Sequence, residues 1–165
     1  MQLVSGKSLC LLGMSLLGLL FGGQTGQASE CKVINTTLDG STFPCAQSPG
    51  GLCADGIIWS GILRGTKLAV YTAAAPSAGL PPEVEPPLVL SYAAEAVFTT
   101  DQGELHLDQL GVLDPFRQVF TELNRVVGGT GRFDQASGDL FISGTLSLDG
   151  TAFESEVTGI VCLNE

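Results

Sequence analysis

The stretch Arg125-Val126-Val127-Gly128-Gly129-Thr130-Gly131-Arg132-Phe133-Asp134-Gln135-Ala136-Ser137-Gly138 decides how this chain is read. A strand-like run enters three glycines in four positions, meets an aromatic residue, passes through Ala-x-Gly and resumes as an alternating run at Asp139. Glycine supplies positive φ and lets two backbones approach closely where a strand turns sharply. Phe133 is expected to plug one end of a core, and Gly138 to restart the ladder. A phosphate-cradling loop is the rival reading, but Gly-Gly-Thr-Gly carries neither the P-loop lysine nor a following helical pattern.

Working outward, the same punctuation recurs. Short alternating or apolar runs occupy 57–63, 68–72, 88–99, 104–109, 118–127, 139–148 and 152–161, and 33–38 offers one more before Asp39-Gly40. No segment sustains a helical stripe, so these runs are read as strands. Their even spacing suits a sandwich or a closed barrel. Residues 73–87 hold five of the eight prolines. Proline removes ladder donors, so this stretch is expected to be an extended surface loop of polyproline character rather than a strand.

The chain has 165 residues, 44% of them hydrophobic and 15% charged, with a net charge of −10. That length suits one domain, and the low charge density excludes disorder. An acidic chain with no basic stripe is not expected to bind nucleic acid or an anionic membrane.

Residues 1–28 read as a leader. Lys7 precedes an apolar run over 9–21, and small residues end at Gly26-Gln27-Ala28. A membrane span needs about 20 apolar residues, more than this run supplies, so a cleaved secretory signal is expected and no span after processing. The remaining 137 residues carry −11 and belong in a secreted or periplasmic location.

Cleavage also removes Cys10 and leaves Cys31, Cys45, Cys53 and Cys162. An even count in an exported chain reads as two disulfides. Gln47-Ser48-Pro49-Gly50-Gly51 is a turn sequence that would let Cys45 meet Cys53, leaving Cys31 and Cys162 to tie the chain ends. In the chain-entropy model the long loop contributes roughly 5 kcal/mol and the short one roughly 2.5 kcal/mol. Cys31–Cys45 with Cys53–Cys162 is the rival pairing. With no Cys-x-x-Cys pair and a single histidine, no metal site is expected. The organisation read from this is a disulfide-tied segment over 29–55 followed by a barrel over 56–165.

The motif Gly128, Gly129, Thr130, Gly131, Arg132, Phe133, Ala136 and Gly138 resembles that of the allene oxide cyclase and dirigent barrel superfamily, especially its small secreted bacterial-type members. The similarity extends over 103–162. It implies an all-β, eight-stranded antiparallel closed barrel with an apolar interior, commonly assembled as a homotrimer and needing no cofactor. The superfamily includes cyclases and proteins that steer radical coupling. The motif marks the barrel, and the plant enzymes' catalytic residues have no matching positions here.

Candidate chemistry rests on strand parity. Glu104, His106 and Asp108 share a face opposite Leu105 and Leu107, which reads as charges in water and leucines inward. Glu95, flanked by Ala94, Ala96 and Val97, would be a desolvated acid–base group if it faced inward. Tyr92 lies on the opposite face of that strand and would line a cavity only if Glu95 does not. Phe120, Glu122, Asn124 and Val126 share one face of the next candidate, with Thr121, Leu123, Arg125 and Val127 on the other. Glu95, Glu122 and Arg125 are therefore the candidate catalytic residues, Arg125 as the partner of an interior glutamate, and Tyr92 and Asn124 are candidate ligand contacts. Three functions fit: a barrel holding a small apolar molecule, a cyclase or isomerase acting on a small hydrophobic substrate, and a structural barrel with a filled interior.

Overall fold

Inward and outward side chains alternate along most of the strands of the computed structural model, which describes residues 29–77 and 89–164. The strands are β1 (Ser29–Pro44), β2 (Leu52–Ile58), β3 (Gly65–Pro76), β4 (Leu90–Thr100), β5 (Gly103–Asp114), β6 (Val119–Gly129), β7 (Ser137–Leu146) and β8 (Ala152–Asn164). Each pairs antiparallel with its neighbour in sequence, and β8 returns to β1, so the sheet closes into an eight-stranded barrel. Closure follows from composition: each strand has one apolar face to bury, and a closed sheet buries all of them while leaving no unpaired edge.

The two ends of the barrel differ. At one lie two single-turn 3-10 helices, Gly61–Leu63 and Gly131–Phe133, whose Leu63 and Phe133 are buried in the same core cluster as Phe98 and Leu105. This is the plug expected of Phe133. Gly131 adopts φ 59°, a left-handed conformation that glycine accepts without strain. The turn is fastened to the β4–β5 hairpin by Thr130 N–H donating to the Glu104 carbonyl at 2.8 Å and Arg132 N–H donating to the Gln102 carbonyl at 2.9 Å. At the other end, residues of the connections after β1, β5 and β7 line an opening.

Several expectations need correction. The division at 55/56 falls inside β2, and β1 pairs with both β2 and β8, so 29–55 is part of the barrel wall. The run over 57–63 is the end of β2 followed by a 3-10 turn, because Gly61 adopts φ 75° and breaks the strand. β3 continues to Pro76, which stands opposite Leu90 at the strand's last position, where a missing N–H costs no interior ladder bond. The remaining prolines of 73–87, like the leader over 1–28, lie outside the described residues.

Both disulfides take the preferred pairing. Cys31–Cys162 joins directly opposed residues of β1 and β8 near the plugged end, and Cys45–Cys53 closes the β1–β2 connection at the open end. Replacing Cys31 and Cys162 together by serine is expected to cost roughly 4–5 kcal/mol, and replacing Cys45 and Cys53 about half of that. Urea unfolding of the two double variants without reductant measures both values; equal losses would contradict the loop-length ordering.

Candidate functional site

A cavity of about 470 Å³ opens at the unplugged end. Leu52, Leu90, Leu113, Phe120, Leu146 and Phe153 contribute to its apolar wall; Lys67, Tyr71, Tyr92 and Glu122 line it from the strands, and Thr42, Gln118, Ser147 and Asp149 add polar groups to the lining. Phe120 and Phe153 meet edge to face at 5.9 Å across the wall.

The polar cluster is assembled by register. Tyr92 of β4, Gly111 of β5 and Glu122 of β6 lie side by side across three paired strands, all facing inward. A Cβ at position 111 would overlap the Tyr92 ring. Because glycine has none, the ring crosses over β5, and its hydroxyl donates to Glu122 Oε1 at 2.8 Å. Lys67 reaches across from β3 and donates from Nζ to Glu122 Oε2 at 3.3 Å. The Lys67 and Glu122 side chains are each 3% exposed. Both carboxylate oxygens therefore accept a bond inside the barrel. An ion pair this deep pays a desolvation cost that a packed apolar pair would avoid, so stability alone is a poor reason for it.

Tyr71 completes the cluster, its ring 5.4 Å from that of Tyr92 in an edge-on arrangement. It precedes a register shift between Tyr71 and Ala73, a bulge of the kind that re-aims side chains beside sites. Burial, and next the negative charge of Glu122, push both phenols well above the ordinary value of 10.0. Tyr92 is raised further by Tyr71 and by the bond that it donates to Glu122.

One layer deeper, Gln109 of β5 and Asn124 of β6 stand opposite each other with 1% and 0% exposure. Neither amide group makes a hydrogen bond to another described residue. Asn124, expected as a ligand contact, thus lies below the cavity rather than in its wall, while Tyr92 is in the wall.

The parity of β4 resolves against Glu95. Tyr92, Ala94, Ala96 and Phe98 face inward, leaving Glu95 exposed on the outer surface opposite Asp108. Arg125 is also outside, where it donates from Nε to Asp139 Oδ1 at 3.2 Å. The cation that meets the interior glutamate is Lys67. The outer face of β5 carries Glu104 and His106, 3.3 Å apart, with Leu105 and Leu107 buried beneath, as alternation predicts. Of the residues singled out in the sequence, Glu122 and Tyr92 are brought together in the site; Lys67 and Tyr71 are additions, and Gln109 lies in the layer beneath with Asn124. Lys67 sits one position before the run read as a strand, and its partner is 55 residues away, so no local pattern marks it.

No protein-family model matches the chain, and no curated protein matches it. Among solved structures, a pterocarpan synthase dirigent protein is similar over 97% of this chain and 100% of its own, at 14% identity and a TM-score of 0.39.

Tyr71 and Tyr92 are the chain's two tyrosines. At about pH 11, one unit above the ordinary phenol value, the folded protein is expected to show almost no phenolate absorbance. Unfolded phenols titrate near pH 10 while folded ones keep their protons, so unfolding releases protons above that value. The contribution is complete below about pH 10 and falls as pH rises. A spectrophotometric titration beside circular dichroism checks this; phenolate appearing while the fold persists would refute it. Lys67→Met alone should cost about 3–5 kcal/mol by stranding Glu122, and Lys67→Met with Glu122→Leu should recover most of it, as measured by urea unfolding.

Proposed function

We propose that this chain is an exported barrel that holds a small, largely apolar molecule in the open end of its interior, with one polar group of that molecule directed at Tyr92, Glu122 and Lys67. The cavity itself carries the reading. Its volume of about 470 Å³ falls within the roughly 300–1,000 Å³ typical of small-molecule sites, and it combines apolar walls with a few convergent polar groups. Lys67 and Glu122 balance each other's charge, so the floor suits a neutral hydroxyl or carbonyl better than an ionised group. A structural barrel would fill this space with side chains. The leader, together with two disulfides, supports a secreted or periplasmic location. The Gly128–Gly138 motif supports placing the chain among the allene oxide cyclase and dirigent-like barrels, and with that comes assembly as a homotrimer. Ala93, Leu110, Leu123 and Phe141 form an apolar row across the outer face of β4 to β7 that offers such an assembly a contact surface.

A cyclase or isomerase is the second reading, favoured by one feature. Glu122 is a carboxylate at the cavity surface with a phenol on one oxygen and an ammonium on the other, an arrangement able to accept a proton and return it.

Nile red, a neutral fluorophore that brightens in apolar surroundings, tests the site without knowledge of the natural ligand. Saturable one-to-one binding is expected. Leu113→Trp should fill the cavity and weaken binding by about tenfold or more, roughly 1.4 kcal/mol, with little change in Tm. Absence of saturable binding, or binding indifferent to that substitution, would remove this reading.

A further inference from the structure

We infer that Lys67 is a covalent attachment point for apolar aldehydes or ketones, which it captures as an imine inside the barrel. The inference rests on the binding reading above and narrows it to carbonyl compounds.

Three observations carry it. The first is where the amine sits: Lys67 lines the cavity yet is 3% exposed, so a molecule occupying the cavity meets an amine held away from bulk water. Lysine is the side chain whose buried amine serves as a carbonyl nucleophile. The second is the proton path. Glu122 Oε2 lies 3.3 Å from Lys67 Nζ, close enough to take a proton from the ammonium and free its lone pair. The third is the apolar wall, which limits the water that would hydrolyse an imine once it forms.

The step balances. Lys67 Nζ gives one proton to Glu122, and the neutral amine attacks the carbonyl carbon. The C=O electrons move to oxygen, which takes up a proton as the nitrogen loses one, forming a carbinolamine. Glu122 returns its proton to the hydroxyl, which departs as water while the nitrogen lone pair forms the C=N bond. The net change is R–CHO plus Lys–NH₃⁺ to R–CH=NH⁺–Lys plus H₂O, with Glu122 left as the carboxylate beside the new cation. Tyr92, donating to Oε1 at 2.8 Å, holds the carboxylate in place throughout. No oxidant, reductant or metal enters the balance.

The chain's lysines provide an internal comparison. Apart from Lys7 in the leader, they are Lys67 and Lys32, and Lys32 lies on β1 with a side chain 35% exposed. The full chain is incubated with 2-naphthaldehyde and sodium cyanoborohydride, and the reduced adduct is mapped by peptide mass spectrometry. Displacement of Nile red by the aldehyde is followed in parallel. The expected result is displacement, with adduct on Lys67 at least about tenfold above Lys32, reflecting the high effective concentration of a bound reactant. Glu122→Gln should slow adduct formation by roughly 10²-fold, provided circular dichroism shows it folded; if it does not fold, the wild-type map decides. Lys67→Arg, which keeps the charge but forms no such imine, should lose the adduct. Displacement without adduct on Lys67, or adduct shared equally with Lys32, overturns the imine and leaves the binding reading standing. Neither displacement nor adduct overturns both.

Discussion

The pairing of β1 with β8 is the contact on which the rest of this molecule depends. It runs in unbroken register from Ser29 opposite Asn164 to Ser41 opposite Ala152, joining the first and last strands. Without it the sheet would have two edges, and the inward faces of its strands would open to water. With it, the interior becomes a closed space whose contents are set by side-chain size. Large residues fill one end, where Phe98, Leu105 and Phe133 are completely buried. Towards the other end, the described side chains leave a cavity of about 470 Å³. The cavity is thus a product of closure and unequal filling.

Within that space the polar cluster sits against the gradient of ordinary packing. Lys67, Glu122, Gln109 and Asn124 are all buried in a barrel whose other buried polar residues are the small hydroxyl side chains Thr36, Ser48 and Ser155 among the described residues. A buried amide without a protein partner costs on the order of 1–3 kcal/mol, and a buried ion pair gives little net return. A fold that tolerates several such groups in adjacent layers relies on the rest of its core and on its disulfides. These costly groups lie beside the cavity or in the layer beneath it.

Much of the architecture could be read from residues alone, because the barrel's signals are local. Alternation in β5, with Leu105 and Leu107 set against Glu104 and His106, assigns its faces without help. The Gly128–Gly138 motif marks the sharp turn between β6 and β7, and the turn sequence between Cys45 and Cys53 made their pairing the preferred one. The site was legible only in part. On β6, Glu122 shares a face with Phe120 and Val126, so its inward orientation was one of two clear options. On β4, alanines occupy both faces, so Tyr92 and Glu95 had equal claims, and small side chains carry too little hydrophobic preference to separate them. Lys67 was invisible because its burial is decided by Glu122, a partner from another strand met only after the barrel closes. Arg125 was misread for the converse reason: Asp139, brought beside it by the β6–β7 register, satisfies it on the outer surface.

The two disulfides stand at opposite ends of the barrel, and this separates the fastening of the wall from the framing of the opening. Cys31–Cys162 fastens the seam near the plugged end, away from the cavity. Cys45–Cys53 holds a rim connection, beside Gly50 and Leu52 of the cavity lining. The larger share of the disulfides' stabilisation is therefore tied at the closed pole, and the smaller share frames the opening. A reductant reaching only the rim bridge would release the edge of the opening and forfeit the smaller loop contribution, roughly 2.5 kcal/mol, while the seam between the first and last strands stayed fastened.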